Sequence, residues 1–376
     1  MAQPATDPAV GVPFVDLRPS CGDLNEPILA DIAELFRSAR FHYGAQVTEF
    51  EAAFAEYCGA EHCVGISSGL DALRLALLGA GIEPGDEVIV PASTFVATFA
   101  AIRQAGGVPV PVDASESDYN LDLALVEASV SARTRLIVPV HLYGQMTDMR
   151  GLLEVAEELC LGIVEDAAQA HGAERDGLRS GAVGRAAAFS FYPSKNLGAA
   201  GDAGAVVTSD AEVDALIRAL RHHGETEKYQ SDIEGYTARL DTIQAIVLLH
   251  KLPHLDRWTE DRRAAARFYA EALREVGDLR LSPVAAGSNP VWHLYVVRTR
   301  DPSSLAQHLA DRGIGTGRHY PQPPHLSRAF SWLGHEKGSF PVAEAIAAEG
   351  LSLPLFPGIT EQQLEAVTTA VVDYFG

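Results

Sequence analysis

Between Asn25 and Asp210 seven short apolar runs alternate, for the most part, with longer amphipathic stretches, and this rhythm leaves few folds open. The runs are Cys63-Val64-Gly65-Ile66, Glu87-Val88-Ile89-Val90, Val108-Pro109-Val110-Pro111-Val112, Leu136-Ile137-Val138-Pro139-Val140, Gly162-Ile163-Val164-Glu165, Ala187-Ala188-Phe189-Ser190-Phe191 and Gly204-Ala205-Val206-Val207-Thr208. Runs of this length read as strands buried on both faces, and the amphipathic segments read as helices crossing over those faces. The implied class is α/β, a mostly parallel seven-stranded sheet between helices. In open sheets of this kind ligands gather at the carboxyl ends of the strands, so residues just after each run are the first candidates for a site.

After Leu240 a helical pattern through Gln244, Leu248 and Leu252 leads into a second helix expected over Asp261 to Val276. A smaller α/β unit follows, with a strand expected over Val291 to Arg298 and helices near Ser304 to Arg312, Val342 to Glu349 and Thr360 to Tyr374. The expected division is an N-terminal arm at 1–24, a large domain at 25–250 and a small C-terminal domain at 251–376. No repeat or long linker separates the two units, so they should pack together.

With 50 acidic against 29 basic residues among 376, the net charge of -21 repels nucleic-acid phosphate and anionic membranes. An anionic ligand can still bind where backbone amides converge. Cys21, Cys58, Cys63 and Cys160 form no C-x-x-C pair and no dense framework, which points to reduced thiols and the cytoplasm. The opening residues lack a basic segment followed by an apolar one, and no run reaches membrane-spanning length. No metal site is expected.

Three segments carry chemistry. In Ile163-Val164-Glu165-Asp166-Ala167-Ala168-Gln169-Ala170-His171-Gly172 two adjacent acids end a strand and must point to opposite faces. An acid there can cap a following turn, or can hold a pyridinium protonated so that the ring serves as an electron sink. In Phe189-Ser190-Phe191-Tyr192-Pro193-Ser194-Lys195-Asn196-Leu197-Gly198 a lysine stands just beyond a strand. Lysine forms imines with carbonyls once burial frees its amine, although a lone lysine is ordinarily a solvated surface group. In Ser67-Ser68-Gly69-Leu70-Asp71-Ala72 small polar residues open a helix after a strand, which suits either a plain N-cap or a phosphate. Pro91-Ala92-Ser93-Thr94-Phe95-Val96 adds an aromatic at a strand-to-helix turn, able to stack on a flat ring or to pack in the core. The glycine-rich run Gly198 to Gly204 precedes a strand instead of following one, so it is not a dinucleotide loop.

With these segments in this order, the chain resembles the nucleotide-sugar aminotransferase (DegT/StrS-type) group of fold-type I pyridoxal 5'-phosphate (PLP) enzymes. The resemblance extends from Val12-Pro13-Phe14-Val15-Asp16-Leu17 to Leu351-Ser352-Leu353-Pro354 and includes Gly235-Tyr236-Thr237-Ala238-Arg239-Leu240-Asp241. It implies that Lys195 carries PLP as a Schiff base and shuttles protons, that Asp166 binds the pyridine nitrogen, and that Gln169 contacts the ring phenolate. It further implies that Phe95 stacks on the ring and that Gly69, Leu70 and Ser190 hold the phosphate. Tyr192, His319 and Tyr320 would lie near the sugar, with segments around Tyr229 and Tyr236 reaching in from a second subunit of a homodimer. Two positions depart from the pattern: Leu70 stands where many members have threonine, and Thr237 where asparagine usually reaches the neighbouring phosphate.

The function implied by the resemblance is transfer of the amino group of L-glutamate to a nucleotide-linked keto sugar, at C3 of a dTDP-3-keto-6-deoxyhexose, in amino-deoxysugar and antibiotic biosynthesis. Lys195-Asn196-Leu197-Gly198-Ala199-Ala200-Gly201-Asp202, Val140-His141-Leu142-Tyr143-Gly144-Gln145 and His319-Tyr320-Pro321-Gln322-Pro323-Pro324-His325 resemble the C3 subgroup rather than the C4 one. Amination at C4, amination of a non-nucleotide cyclic ketone and a non-catalytic PLP-binding regulator stay open as alternatives. A sugar dehydratase on the same fold would carry histidine in place of Lys195.

Overall fold

The computed structural model describes residues 11–42 and 44–376. The first ten residues of the expected arm, including the segment read for a targeting signal, lie outside them. All seven apolar runs form one sheet: β1 (His62–Ile66), β2 (Glu87–Pro91), β3 (Val108–Val112), β4 (Thr134–Ile137), β5 (Gly162–Asp166), β6 (Ala186–Ser190) and β7 (Gly204–Thr208). Their spatial order is β1-β7-β6-β5-β4-β2-β3. Alternate residues serve opposite faces. Val64, Val88, Val90, Val164, Ala188 and Val206 face α3 (Gly69–Gly79), α4 (Val96–Gln104) and α6 (Ala211–Leu220). Cys63, Ala187, Phe189 and Val207 face α2 (Ala45–Cys58) and α7 (Thr242–Lys251), behind α1 (Asn25–Ser38). The remaining helix of this part, α5 (Met149–Glu158), covers Ile89, Ile137 and Ile163.

One strand runs against the others: β7 is antiparallel to both β1 and β6, while every other pair is parallel. No helix separates β6 from β7, and without a crossover the chain must reverse direction. The reversal is residues 191–203, tied at its ends by Phe191 N–H donating to Ala203 O at 2.8 Å and Ala199 N–H to Phe191 O at 2.8 Å. Lys195 sits in this reversal, at the carboxyl edge of the sheet.

The last third builds α8 (Leu255–Ala272), α9 (Pro302–Ala310), α10 (Pro341–Glu349) and α11 (Glu361–Phe375) around an antiparallel pair, β8 (Tyr295–Arg298) and β9 (Gly350–Leu353). Tyr269, Leu305, Leu309, Val367 and Val371 form its core. Two of the expected bounds that shift have a clear cause. The helix placed over Asp261 to Val276 begins at Leu255, because Pro253 ends one helical segment and a new one starts beyond it. The strand placed over Val291 to Arg298 shortens to four residues, since Trp292 is left-handed (φ 47) and Val291 N–H is drawn to Gly144 O at 2.9 Å.

The acidic pair that ends β5 divides as the alternation demands. Glu165 is fully buried on the α2 side, where its carboxylate accepts N–H bonds from Gly181 (2.9 Å), Val183 (3.0 Å) and Gly184 (2.8 Å). His141 Nδ1 accepts the Thr147 amide at 3.2 Å, so the ring hydrogen is on Nε2, which donates to Glu165 at 2.9 Å. Burial alone would raise the Glu165 proton affinity, but His141 and the amides hold it below the usual range. Glu165→Gln should therefore lower unfolding free energy by about 3 kcal/mol at neutral pH, read from denaturant midpoints, because an amide hydrogen would face an N–H donor. The deficit should narrow as pH falls below the ordinary glutamate value of 4.5. An equally stable variant at pH 7 would contradict this role.

Candidate active site

Asp166, on the opposite face at the end of β5, is only 8% exposed. Its Oδ2 accepts the Thr98 hydroxyl at 2.8 Å and its Oδ1 accepts the Ala168 amide at 3.2 Å. Among the described residues no cation is within ion-pair distance of it. Burial pushes its proton affinity up, and the Thr98 hydroxyl and Ala168 amide oppose that push.

Lys195 is half-buried, its own N–H donating to Tyr192 O at 2.8 Å. Burial lowers its amine from 10.5 to about 8, while the nearby Asp166 charge works in the other direction. The next residue anchors the loop: Asn196 Nδ2 donates to Val291 O at 2.8 Å, and its Oδ1 faces His293 Nδ1 at 3.2 Å. Burial, with the Lys195 charge second, lowers His319 to about 4 and His171 to about 3 and takes His293 well below the ordinary value. All three imidazoles thus lie within reach of the Lys195 charge and are held neutral.

Gln169 is fixed by two contacts. Its Oε1 accepts the Tyr143 amide at 2.6 Å and its Nε2 donates to the Tyr320 hydroxyl at 3.0 Å. The Tyr320 ring lies against Phe95, centroids 4.9 Å apart, where Phe95 stands 47% exposed at the start of α4. His319 Nδ1 is 2.8 Å from Ser352 Oγ, and the ring stacks on Phe14. Its carbonyl accepts the Tyr143 hydroxyl.

Ser68 caps α3 by accepting the Asp71 amide at 3.1 Å. The amides of Gly69 and Leu70 precede any helical acceptor, so they point outward from the helix start. Here a side chain is excluded: a Cβ on Gly69 would come within 2.5 Å of Ser190 Cβ, and one on Gly204 within 2.5 Å of the Ser68 carbonyl. Helix start and Ser190 thereby form a close cradle, with the Ser190 Oγ 3.4 Å from the Tyr192 amide.

The structure thus gathers Asp166, Gln169, Lys195, Ser190, Gly69, Leu70, Phe95, Tyr192, His319 and Tyr320 along one edge. It does not bring Tyr229 or Thr237 into that group. Tyr229 is 84% exposed on a hairpin, and the Thr237 hydroxyl is 3.3 Å from His223 Nδ1. Two residues at this edge escaped the sequence reading. Thr98 lies within α4, far along the chain from Asp166, and Tyr143 takes a left-handed conformation (φ 58) that nothing in a tyrosine announces.

A buried carboxylate at one end, an amide cradle at the other and an imine-forming amine between them suit a flat, phosphorylated pyridine aldehyde. The profile of the DegT/DnrJ/EryC1/StrS aminotransferase family matches residues 23–372. The chain belongs to that family. It is 47% identical over 363 residues, 96% of each chain, to dTDP-3-amino-3,4,6-trideoxy-alpha-D-glucose transaminase of Streptomyces venezuelae. Its fold superposes with a TM-score of 0.94 on S. venezuelae DesV in complex with a ketimine intermediate, at 46% identity and covering 96% of this chain and 98% of that one. NtdA of Bacillus subtilis with bound cofactor PMP superposes at 0.90, with 29% identity over 99% of this chain and 87% of that one. This member of the aminotransferase family keeps its acid at the end of β5 and its lysine in the reversal that follows the adjacent strand β6, at one edge.

The lowered amine generates a prediction. In cofactor-free protein, the rate at which Lys195 captures an aldehyde should rise through about pH 8 rather than near 10.5. Asp166→Asn should move that midpoint lower still, because the carboxylate charge holds the proton on the amine. Stopped-flow absorbance reads both; a midpoint near 10.5 would contradict the burial of the amine.

Proposed function

We propose that the chain is a PLP-dependent aminotransferase that passes the amino group of L-glutamate to C3 of a dTDP-linked 3-keto-6-deoxyhexose. The observation that carries this is the pairing, at one sheet edge, of buried Asp166 with the low-pKa Lys195, beside the Gly69–Ser190 cradle. When bound, the cofactor supplies an electron sink and a carbonyl that accepts the amino group. Asp166 holds the proton on the ring nitrogen, and Gln169, locked by Tyr143 and Tyr320, presents its amide to the ring oxygen. Phe95 packs on the ring face. The amides of Gly69 and Leu70 with the Ser190 hydroxyl take the phosphate, so an anion binds without help from net charge. Lys195, half-deprotonated near pH 8, would take up and return a proton at its Nζ.

Tyr192, His319 and Tyr320 are the side chains that would face the sugar. Because Lys195 and the ring are fixed, these side chains choose which sugar carbon meets the cofactor amine. The nucleotide extends to solvent and adds remote binding energy. Identity with a transaminase named for a 3-amino dTDP-sugar supports C3 over C4, over a non-nucleotide cyclic ketone and over a regulator without turnover.

The active unit we infer is a homodimer. Tyr229, and on α1 Leu29 (62% exposed) and Phe36 (64%), present apolar surface that a second copy would cover, and a two-fold axis would complete two sites at once. Thr237, on the same flank as Tyr229, would approach the partner's phosphate through water rather than directly. A boundary near residue 250 fits the change from the seven-stranded sheet to the β8–β9 layer, and one near 24 falls just before α1. Four unpaired cysteines support a cytoplasmic setting, and no helix of the described residues is long and apolar enough to cross a membrane.

Matched 3-keto and 4-keto dTDP-6-deoxy sugars, each incubated with glutamate and holoenzyme, decide the substrate assignment when NMR locates the new C–N bond. Amination at C3 is expected; exclusive amination at C4 would overturn the regiochemistry. Sedimentation of the same preparation should give a dimer, and an active monomer would overturn the shared-site assembly.

A further inference from the structure

Flanking Phe95 are two threonines that face away from solvent, Thr94 in the turn before α4 and Thr98 in its first turn. Their hydroxyls are 2.8 Å apart, and Thr98 Oγ1 is 2.8 Å from Asp166 Oδ2. A hydroxyl has one hydrogen to give. The Asp166 carboxylate can only accept, so Thr98 gives its hydrogen there and must accept from Thr94. The chain of donors runs one way, from Thr94 through Thr98 to Oδ2, while the Ala168 amide takes Oδ1 at 3.2 Å.

Both carboxylate oxygens are therefore held, one by a side chain and one by the backbone, which fixes the plane of the carboxyl group. We propose that Thr98 is a positioning residue: its hydroxyl, oriented by Thr94, aims Asp166 and keeps the shared proton on the cofactor's ring nitrogen. This inference rests on the cofactor reading above and adds a residue to it. The physics is direct. Hydrogen bonds to a carboxylate lower its affinity for a proton, and in a dry site that effect is larger than in water. Without the Thr98 hydroxyl, Asp166 becomes the stronger base and also gains freedom to turn, and both changes leave the ring nitrogen less protonated. The Thr98 methyl, by contrast, only fills space.

The test uses full-length protein loaded with PLP carrying 15N at the ring nitrogen. In Thr98→Val the 15N resonance should move toward the unprotonated pyridine value, and the cofactor dissociation constant should rise on the order of tenfold. Thr98→Ser, which keeps the hydroxyl and loses the methyl, should stay at the wild-type position. Should Thr98→Val fail to fold, Thr98→Ala carries the same expectation, and the serine variant must still match wild type. A wild-type resonance in the valine or alanine variant, or a serine variant shifted as far as valine, would overturn the proposal. Wild-type protein that takes up no PLP would remove the reading of the site itself, whereas loaded wild type with an unshifted valine variant removes only the role of Thr98.

Discussion

A carboxylate taken out of water loses solvation that only hydrogen bonds or a cation can replace, and the Asp166 carboxylate has the first without the second. One hydroxyl and one amide hold its two oxygens, and the open lone pairs face an edge where no cation of the described residues forms an ion pair with it. The rest of the site follows from that constraint. A positive N–H brought to this edge would gain a charge-assisted bond at low dielectric, and a ring nitrogen held here would stay protonated.

The second requirement is an amine close by that is not permanently charged. The sheet meets it through its one reversed strand. Because β7 returns beside β6 without a crossover helix, residues 191–203 stay at the carboxyl edge, and Lys195 with them. Half-burial there brings the amine to about 8. His171, His293 and His319, kept neutral by burial, add no positive charge to this region. On the other side of β5 the Glu165–His141 pair anchors the strand end, so one dipeptide supplies both a structural and a chemical acid.

Much of this was legible in the amino-acid sequence, for definite reasons. Strands buried on both faces must be short and apolar, so all seven runs could be read. Neighbouring acids on a strand must diverge, so Glu165 and Asp166 could be separated before either contact was seen. The direction of β7 could not be read from its residues, because a fully buried run looks the same either way. Thr98 was missed because a threonine inside a helix carries no local sign of a partner 68 positions away. The grip of Tyr143 on Gln169 was missed because it depends on a left-handed backbone at a residue with no preference for it. Tyr229 and Thr237 were named through resemblance alone; in a single chain Tyr229 stands exposed on its hairpin and the Thr237 hydroxyl faces His223.

The central claim is that one lysine, Lys195, carries the cofactor. Borohydride reduction of the PLP-loaded protein, followed by peptide mass spectrometry, tests it most directly, since reduction freezes the lysine–cofactor bond as a stable amine. A single phosphopyridoxyl group on the peptide containing Lys195 is the expected result. A label on another lysine, or its absence from a protein that has taken up the cofactor, would contradict the account.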